Sequence, residues 1–140
     1  MDFGLRHVGL ALSDEEEILA TPFRAVTVRS VREAPAAVAA AAKEAGAHSV
    51  VVGSPVGLEG EETRAEVRRV ERFARALRKE SGLTVHVVDE SLSTREAEDL
   101  ARAAGWPDRD PRLHAAAAAV ILQRWLDRPR GVRGGRVEEP

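Results

Sequence analysis

Short valine-rich runs recur along this chain, each leaving through a loop of Gly, Ser, Pro or acidic residues into a long Ala/Glu/Arg stretch. That alternation defines an α/β domain: buried strands read as continuous apolar runs, and the helices that cover them as one-sided stripes. Residues 8–12 and 20–28 read as strands joined by the polar turn Ser13-Asp14-Glu15-Glu16-Glu17, close enough to pair antiparallel. Pro35 suits a first helical turn, and the helix over 36–45 stops at Gly46. A buried strand over 48–52 then feeds the loop beginning Gly53-Ser54-Pro55.

Between residues 61 and 80, Val67, Val70, Phe73, Ala74 and Leu77 recur at helical spacing, giving the longest helix one apolar stripe. Gly82 ends it, 84–88 forms the next strand, and Asp89-Glu90-Ser91-Leu92 leaves the strand end. Ser93-Thr94-Arg95-Glu96 has the capping-box pattern, placing a helix over 94–104. A final helix over 112–126 turns Leu113, Ala116, Ala117, Val120, Ile121 and Trp125 to the core. A short strand containing Asp2 is expected at the front. Residues 1–128 are expected to form one domain and 129–140 a flexible tail.

Composition narrows the function classes. The 140 residues suffice for one core, built from 24 Ala and 17 Val with only three Phe, two Trp and no Tyr. The chain has no cysteine, which excludes a disulfide scaffold, a Cys-zinc site and thiol catalysis. No apolar run is long enough to span a bilayer and no signal-peptide stretch opens the chain, so the expected location is the cytoplasm. A net charge of −2 supplies no global attraction to nucleic acid.

Several residues could carry chemistry. Asp2 stands where a first strand should run, followed by Gly4 and Gly9, which permit tight turning and close approach by a ligand. Asp89-Glu90 ends an apolar strand, where ligands of open α/β sheets gather, and two adjacent carboxylates call for a cation or hydrogen-bond donors. The glycine-rich loop after Gly53 lacks the Walker Lys-Ser/Thr ending and reads as substrate-facing. Arg64, Arg68, Arg69, Arg72, Arg75 and Arg78 alternate with glutamates on the long helix and read as a solvated, ion-paired face. Residues 124–136 hold five Arg against Asp127 alone and are the better phosphate contact. His114 stands beside five alanines on the last helix, and taken alone such a histidine is more often structural than a ligand. His7, His48 and His86 show no ligand spacing.

Together these segments resemble the YqgF/RuvX family of ribonuclease-H-like nucleases over nearly the whole chain. Its opening motif is matched by Asp2, Gly4, Arg6, Gly9, Ala11, Ser13 and Asp14, and its second by Val51-Val52-Gly53-Ser54-Pro55 through Glu59-Gly60. The third appears as Asp89-Glu90-Ser91-Leu92-Ser93-Thr94, and the helix motif as His114, Ala117, Ala118, Ile121, Leu122 and Gln123. The resemblance implies a central mixed β-sheet with helices on both faces and phosphodiester hydrolysis with Mg²⁺ or Mn²⁺. Asp2, Glu90 and His114 are the implied metal ligands and catalytic residues; Arg6, Ser93, Thr94 and Arg124 are the candidates for nucleic-acid contacts. The chain departs from the family pattern at His114, where the family has Asp, and at Ser91, where it has Arg. Only Met1 precedes Asp2, where the family has several apolar residues, so the expectation is a shortened first strand with a mobile Asp2 and poor metal affinity.

The leading functional expectation is a metal-dependent endonuclease that processes the 5′ end of precursor 16S ribosomal RNA. A Holliday-junction resolvase acting on branched DNA is the second, and a non-catalytic nucleic-acid-binding or ribosome-assembly module the third. A resolvase needs paired sites and hence a homodimer, whereas a monomer fits RNA processing. An actin-like ATPase, which also opens with Asp-x-Gly, needs a second lobe that 140 residues do not supply.

Overall fold

The computed structural model describes residues 2–3, 7–54, 60–89, 99, 102–103, 105, 112–129 and 136–137. Its strands are β1 (Asp2–Phe3), β2 (His7–Ser13), β3 (Ala20–Thr27), β4 (Ser49–Ser54), β5 (Thr84–Asp89) and β6 (Arg136–Val137). Its long helices are α1 (Ala34–Ala45), α2 (Glu61–Ser81) and α3 (Arg112–Asp127). The central layer contains two three-stranded sheets: β1-β2-β3, antiparallel throughout, and β4-β5-β6, in which β4 and β5 run parallel and β6 antiparallel. β1 touches β4, so the sheets abut there. The strands together run in mixed directions, as the resemblance implies, and the β1 ladder spans Asp2↔Gly9 and Phe3↔Val8.

Strand alternation decides which helix covers which side chain. Val8 and Leu10 of β2, Val52 of β4, and Val85 and Val87 of β5 join Val38 and Ala41 of α1 and Val70, Phe73, Ala74 and Leu77 of α2 in one core. Val51 and Val88, on the other face, pack with Ile121, Trp125 and Leu126 of α3. Helices therefore cover both faces. The apolar stripe of α2 is buried as the spacing predicts, and each fully buried Val or Leu contributes roughly 1.5–3 kcal/mol.

Local chemistry sets the element ends. Pro35 occupies the first turn of α1, and Gly46 closes that helix at φ +71°, a left-handed conformation that glycine alone adopts without steric cost. A register shift at Leu10/Ala11 inserts one residue into β3, bringing Pro22, which has no N–H to donate, opposite Ala11.

One expectation needs correction. Arg78 is not on the solvated face of α2: it is 3% exposed, and its Nη2 donates to the Val85 carbonyl at 3.1 Å, tying helix to sheet. Beyond α3, Arg136 and Val137 form β6 and pair with Val87 and His86 along the open edge of β5. The main chain of Asp2 pairs with Gly9 at the end of the β1 ladder. The helix expected over 94–104 lies mostly outside the described residues; Asp99, Arg102 and Ala103 of it are helical, with Arg102 3.2 Å from Asp99.

Two motif residues stabilise the β2–β3 turn. Gln123 of α3 accepts from the Ala20 amide at 2.8 Å through Oε1, and its Nε2 donates to the Ile18 carbonyl at 2.9 Å. Gln123→Ala is expected to cost about 1–2 kcal/mol, measured by urea unfolding, because both partners are left incompletely paired. Asp14 accepts from the Ile18 and Leu19 amides at 2.7 and 3.1 Å, and these bonds hold its carboxyl below the usual carboxylate value. A lowered folded-state pKa stabilises above the unfolded value of 3.8 and is lost as pH falls through the folded one. The protection factors of the Ile18 and Leu19 amides, taken against intrinsic exchange at each pH, should therefore fall on acidification below that value, and Asp14→Asn should remove that pH dependence of protection.

Candidate active site

The site begins with a glycine. On β2, Gly9 lies on the face toward α3, and a Cβ placed on it would fall on the His114 carbonyl and within 2.8 Å of the Ala115 nitrogen. The missing side chain lets the first turns of α3 rest directly on the strand. Gly9 was expected to admit a ligand; what it admits is a helix. Asp2 is registered opposite Gly9, and β1 touches both α3 and β4. The backbones carrying Asp2 and His114 thus converge across one residue of β2.

His114 is half-buried on α3 and stacks on His7, with ring centroids 5.1 Å apart and planes 24° apart. His7 Nδ1 lies 3.2 Å from Thr27 Oγ1 on β3, which orients the ring. Sequence spacing gave no reason to group His7 with His114. The signal was the period of two along β2: His7 and Gly9 share one strand face, so a helix seated on Gly9 also reaches His7.

A second corner is made by the carboxyl ends of β4 and β5. Ser54 and Asp89 end them side by side in register. Ser54 is 1% exposed and its hydroxyl has no hydrogen-bond partner among the described residues. Glu90 follows Asp89 directly; it lies outside the described residues, as do Arg6, Ser93, Thr94 and the loop 55–59. Arg124 is half-buried on α3, ten residues beyond His114 and therefore about 15 Å along the helix axis. It does not converge with the histidine.

Carboxylates from a strand and a strand end, joined by a helix-borne imidazole, are a donor set that fits a divalent cation of the Mg²⁺ or Mn²⁺ kind, the imidazole favouring Mn²⁺. Among the described residues no group of three His, Asp or Glu side chains is gathered to hold a metal. Arg64 and Arg68 of α2, by contrast, pair with Glu61 at 2.9 and 3.9 Å on an exposed face, as the sequence suggested, and such pairs contribute little.

An α/β layer with helices on both faces and an acidic residue on its first strand defines the ribonuclease-H-like class. The solved structure of T. thermophilus RuvC in complex with a Holliday junction substrate superposes with a TM-score of 0.57 at 17% identity, over 89% of this chain and 90% of that one. Residues 1–128 match the family model RuvX, described as Holliday junction resolvase. A protein of Maridesulfovibrio salexigens is 38% identical over 131 residues, 91% of this chain and 96% of that protein. One of Anaeromyxobacter sp. (strain Fw109-5) is 40% identical over 129 residues, 91% and 93% of the two chains. Both carry the name "Putative pre-16S rRNA nuclease". The chain belongs to the RuvX family.

Proposed function

We propose that this protein is a metal-dependent endonuclease that hydrolyses phosphodiester bonds in structured RNA, cutting at the 5′ end of precursor 16S rRNA. The observation that carries the reading is the seating of His114 on Gly9, directly opposite Asp2, in a chain whose relatives are named as pre-16S rRNA nucleases. Asp2, Glu90 and His114 would hold Mg²⁺ or Mn²⁺. When bound, the cation supplies an activated water and offsets charge on the scissile phosphate.

The protein's own groups do the rest. The β1–β2 ladder fixes the main chain at Asp2. The His7 stack and the Gly9 contact would orient His114 before substrate arrives. Arg6, Ser93, Thr94 and Arg124 would contact the nucleic-acid backbone, with Arg124 engaging phosphates well away from the scissile one. Among the described residues no helix is long and apolar enough to cross a membrane, which agrees with a cytoplasmic enzyme acting on rRNA.

The description of the matching family and the RuvC likeness favour a second reading, resolution of four-way DNA junctions by a homodimer. Purified protein should be offered a precursor rRNA leader, a four-way DNA junction and unstructured single strands, with Mg²⁺ or Mn²⁺. Cleavage of the leader by a monomer is expected. Junction-only cleavage would replace the RNA reading with the resolvase, and RNA binding without cleavage in either cation would leave a binding module.

A further inference from the structure

The solvent face of α2 is more basic than the mixed composition of that helix suggests. At 3.6 residues per turn, Arg64, Arg68, Arg72, Arg75 and Lys79 fall within an arc of about 80°, on the side away from the buried Val70, Phe73 and Leu77. All five are exposed. Glu61 shares the arc, and Glu71, half-buried, stands at its edge. Arg64 and Arg68 both approach Glu61, at 2.9 and 3.9 Å. Arg72, Arg75 and Lys79 form no ion pair among the described residues. The neighbouring α1 supplies little to neutralise them: its charged residues are Lys43 and Glu44 in the last turn, and Glu44 is held by Arg24 at 2.8 Å.

Because α2 joins two parallel strands, it runs back from the carboxyl end of β4 to the amino end of β5. Arg64 therefore lies nearest the corner where Ser54 and Asp89 end, and the stripe leads away from it for about 22 Å to Lys79. Phe73 is the one aromatic residue of α2 and is 3% exposed, so the stripe offers charge without a platform for stacked bases. A straight row of cations, four of them guanidinium forks, suits the regular backbone of a duplex rather than an unpaired strand. We propose that the outer face of α2 is a second nucleic-acid contact, binding the sugar–phosphate backbone of a duplex stem that flanks the cleaved bond. The proposal rests on the nuclease reading above and extends its substrate from a scissile phosphate to an adjoining stem. Exchanging the exposed Glu61 pairs for phosphate costs little, since such pairs contribute little, and each phosphate neutralised releases counterions.

The test reads binding without cleavage, by fluorescence anisotropy in EDTA across a salt titration. The probes are a labelled RNA duplex, its single strand, and a DNA duplex of the same sequence. The combined variant Arg72→Gln, Arg75→Gln and Lys79→Gln is expected to bind the RNA duplex about tenfold or more weakly and to flatten the slope of log affinity against log salt by about two to three. Its thermal midpoint should move little, because all three side chains are exposed. Lysine at positions 72 and 75, with Lys79 kept, should retain the slope. Arg29→Gln, Arg32→Gln and Lys43→Gln together remove the same charge from exposed positions outside α2 and should also leave it unchanged. Equal losses in the two triple variants would reduce the effect to net charge and overturn the proposal. So would an unchanged slope in the α2 variant, or a loss as large for the single strand as for the duplex. Tighter binding of the DNA duplex, lost in the same variant, would keep the contact and assign it to the arms of a DNA junction. Cleavage of the rRNA leader by the wild type beside an unchanged slope would sink the stripe and leave the nuclease standing, whereas the expected slopes without cleavage would sink the nuclease alone.

Discussion

Asp2→Asn is expected to lower metal-dependent cleavage of the rRNA leader by at least about a hundredfold, equivalent to about 2.7 kcal/mol of transition-state stabilisation. The substitution keeps size and hydrogen-bonding shape but replaces an anionic oxygen with an amide that a hard cation binds poorly. Its main chain is already held opposite Gly9, so the thermal midpoint should move little. Glu90→Gln should behave alike. Single-turnover rates across a Mg²⁺ and Mn²⁺ titration separate weakened cation binding from slowed chemistry. Persistence of full activity in both variants would remove these residues from the site. His114→Asp restores a charge and a harder oxygen donor, so it should shift the preferred cation from Mn²⁺ toward Mg²⁺.

Among Gly9, Gly46, Gly60, Gly82 and Gly105, Gly9→Ala should have the largest effect on packing, because only there would a Cβ meet other atoms within 4 Å. The added methyl meets main-chain atoms of His114 and Ala115, and no flexible side chain can swing aside, so α3 itself must move. The expected destabilisation is about 2–3 kcal/mol, a fall of roughly 5–12 °C in the thermal midpoint. Because His114 is the residue displaced, cation affinity should fall with stability. Gly46→Ala is the control: its strain comes from a φ of +71° with open space around the position, so it should lower stability and leave cation affinity alone. If Gly9→Ala binds the cation like the wild type, the contact with α3 does not govern the site.

Much of the fold is legible in the sequence because helix and strand periodicities are local. The stripe of Val70, Phe73, Ala74 and Leu77 is a repeat of three and four that requires burial wherever the helix docks, and all four are buried. Pro35 and Gly46 mark the ends of α1 through their own backbone restrictions. Arg78 was misread for the complementary reason. It shares the composition of its exposed neighbours, and only the seat of α2 on β5 brings its guanidinium under the sheet to the Val85 carbonyl. Gln123 belongs to a motif suggestive of function, yet its amide holds the β2–β3 turn, 105 residues away from Ile18 in sequence.

The candidate site divides in the same way. Asp2, Glu90 and His114 were singled out as candidates from residue type, position along the chain and the resemblance of four ordered motifs, all of which survive in one dimension. The roles of His7 and Gly9 needed the packing of α3 on β2, since residues more than 100 apart meet there. By itself the sequence determined the order of β2 to β5 and the three long helices and pointed to the family, because propensity, periodicity and motif spacing act along the chain. Only the tertiary structure decided which strand faces meet which helices, and that a glycine serves a helix rather than a ligand. Those are outcomes of register and close approach, which depend on distances between segments that no local pattern encodes.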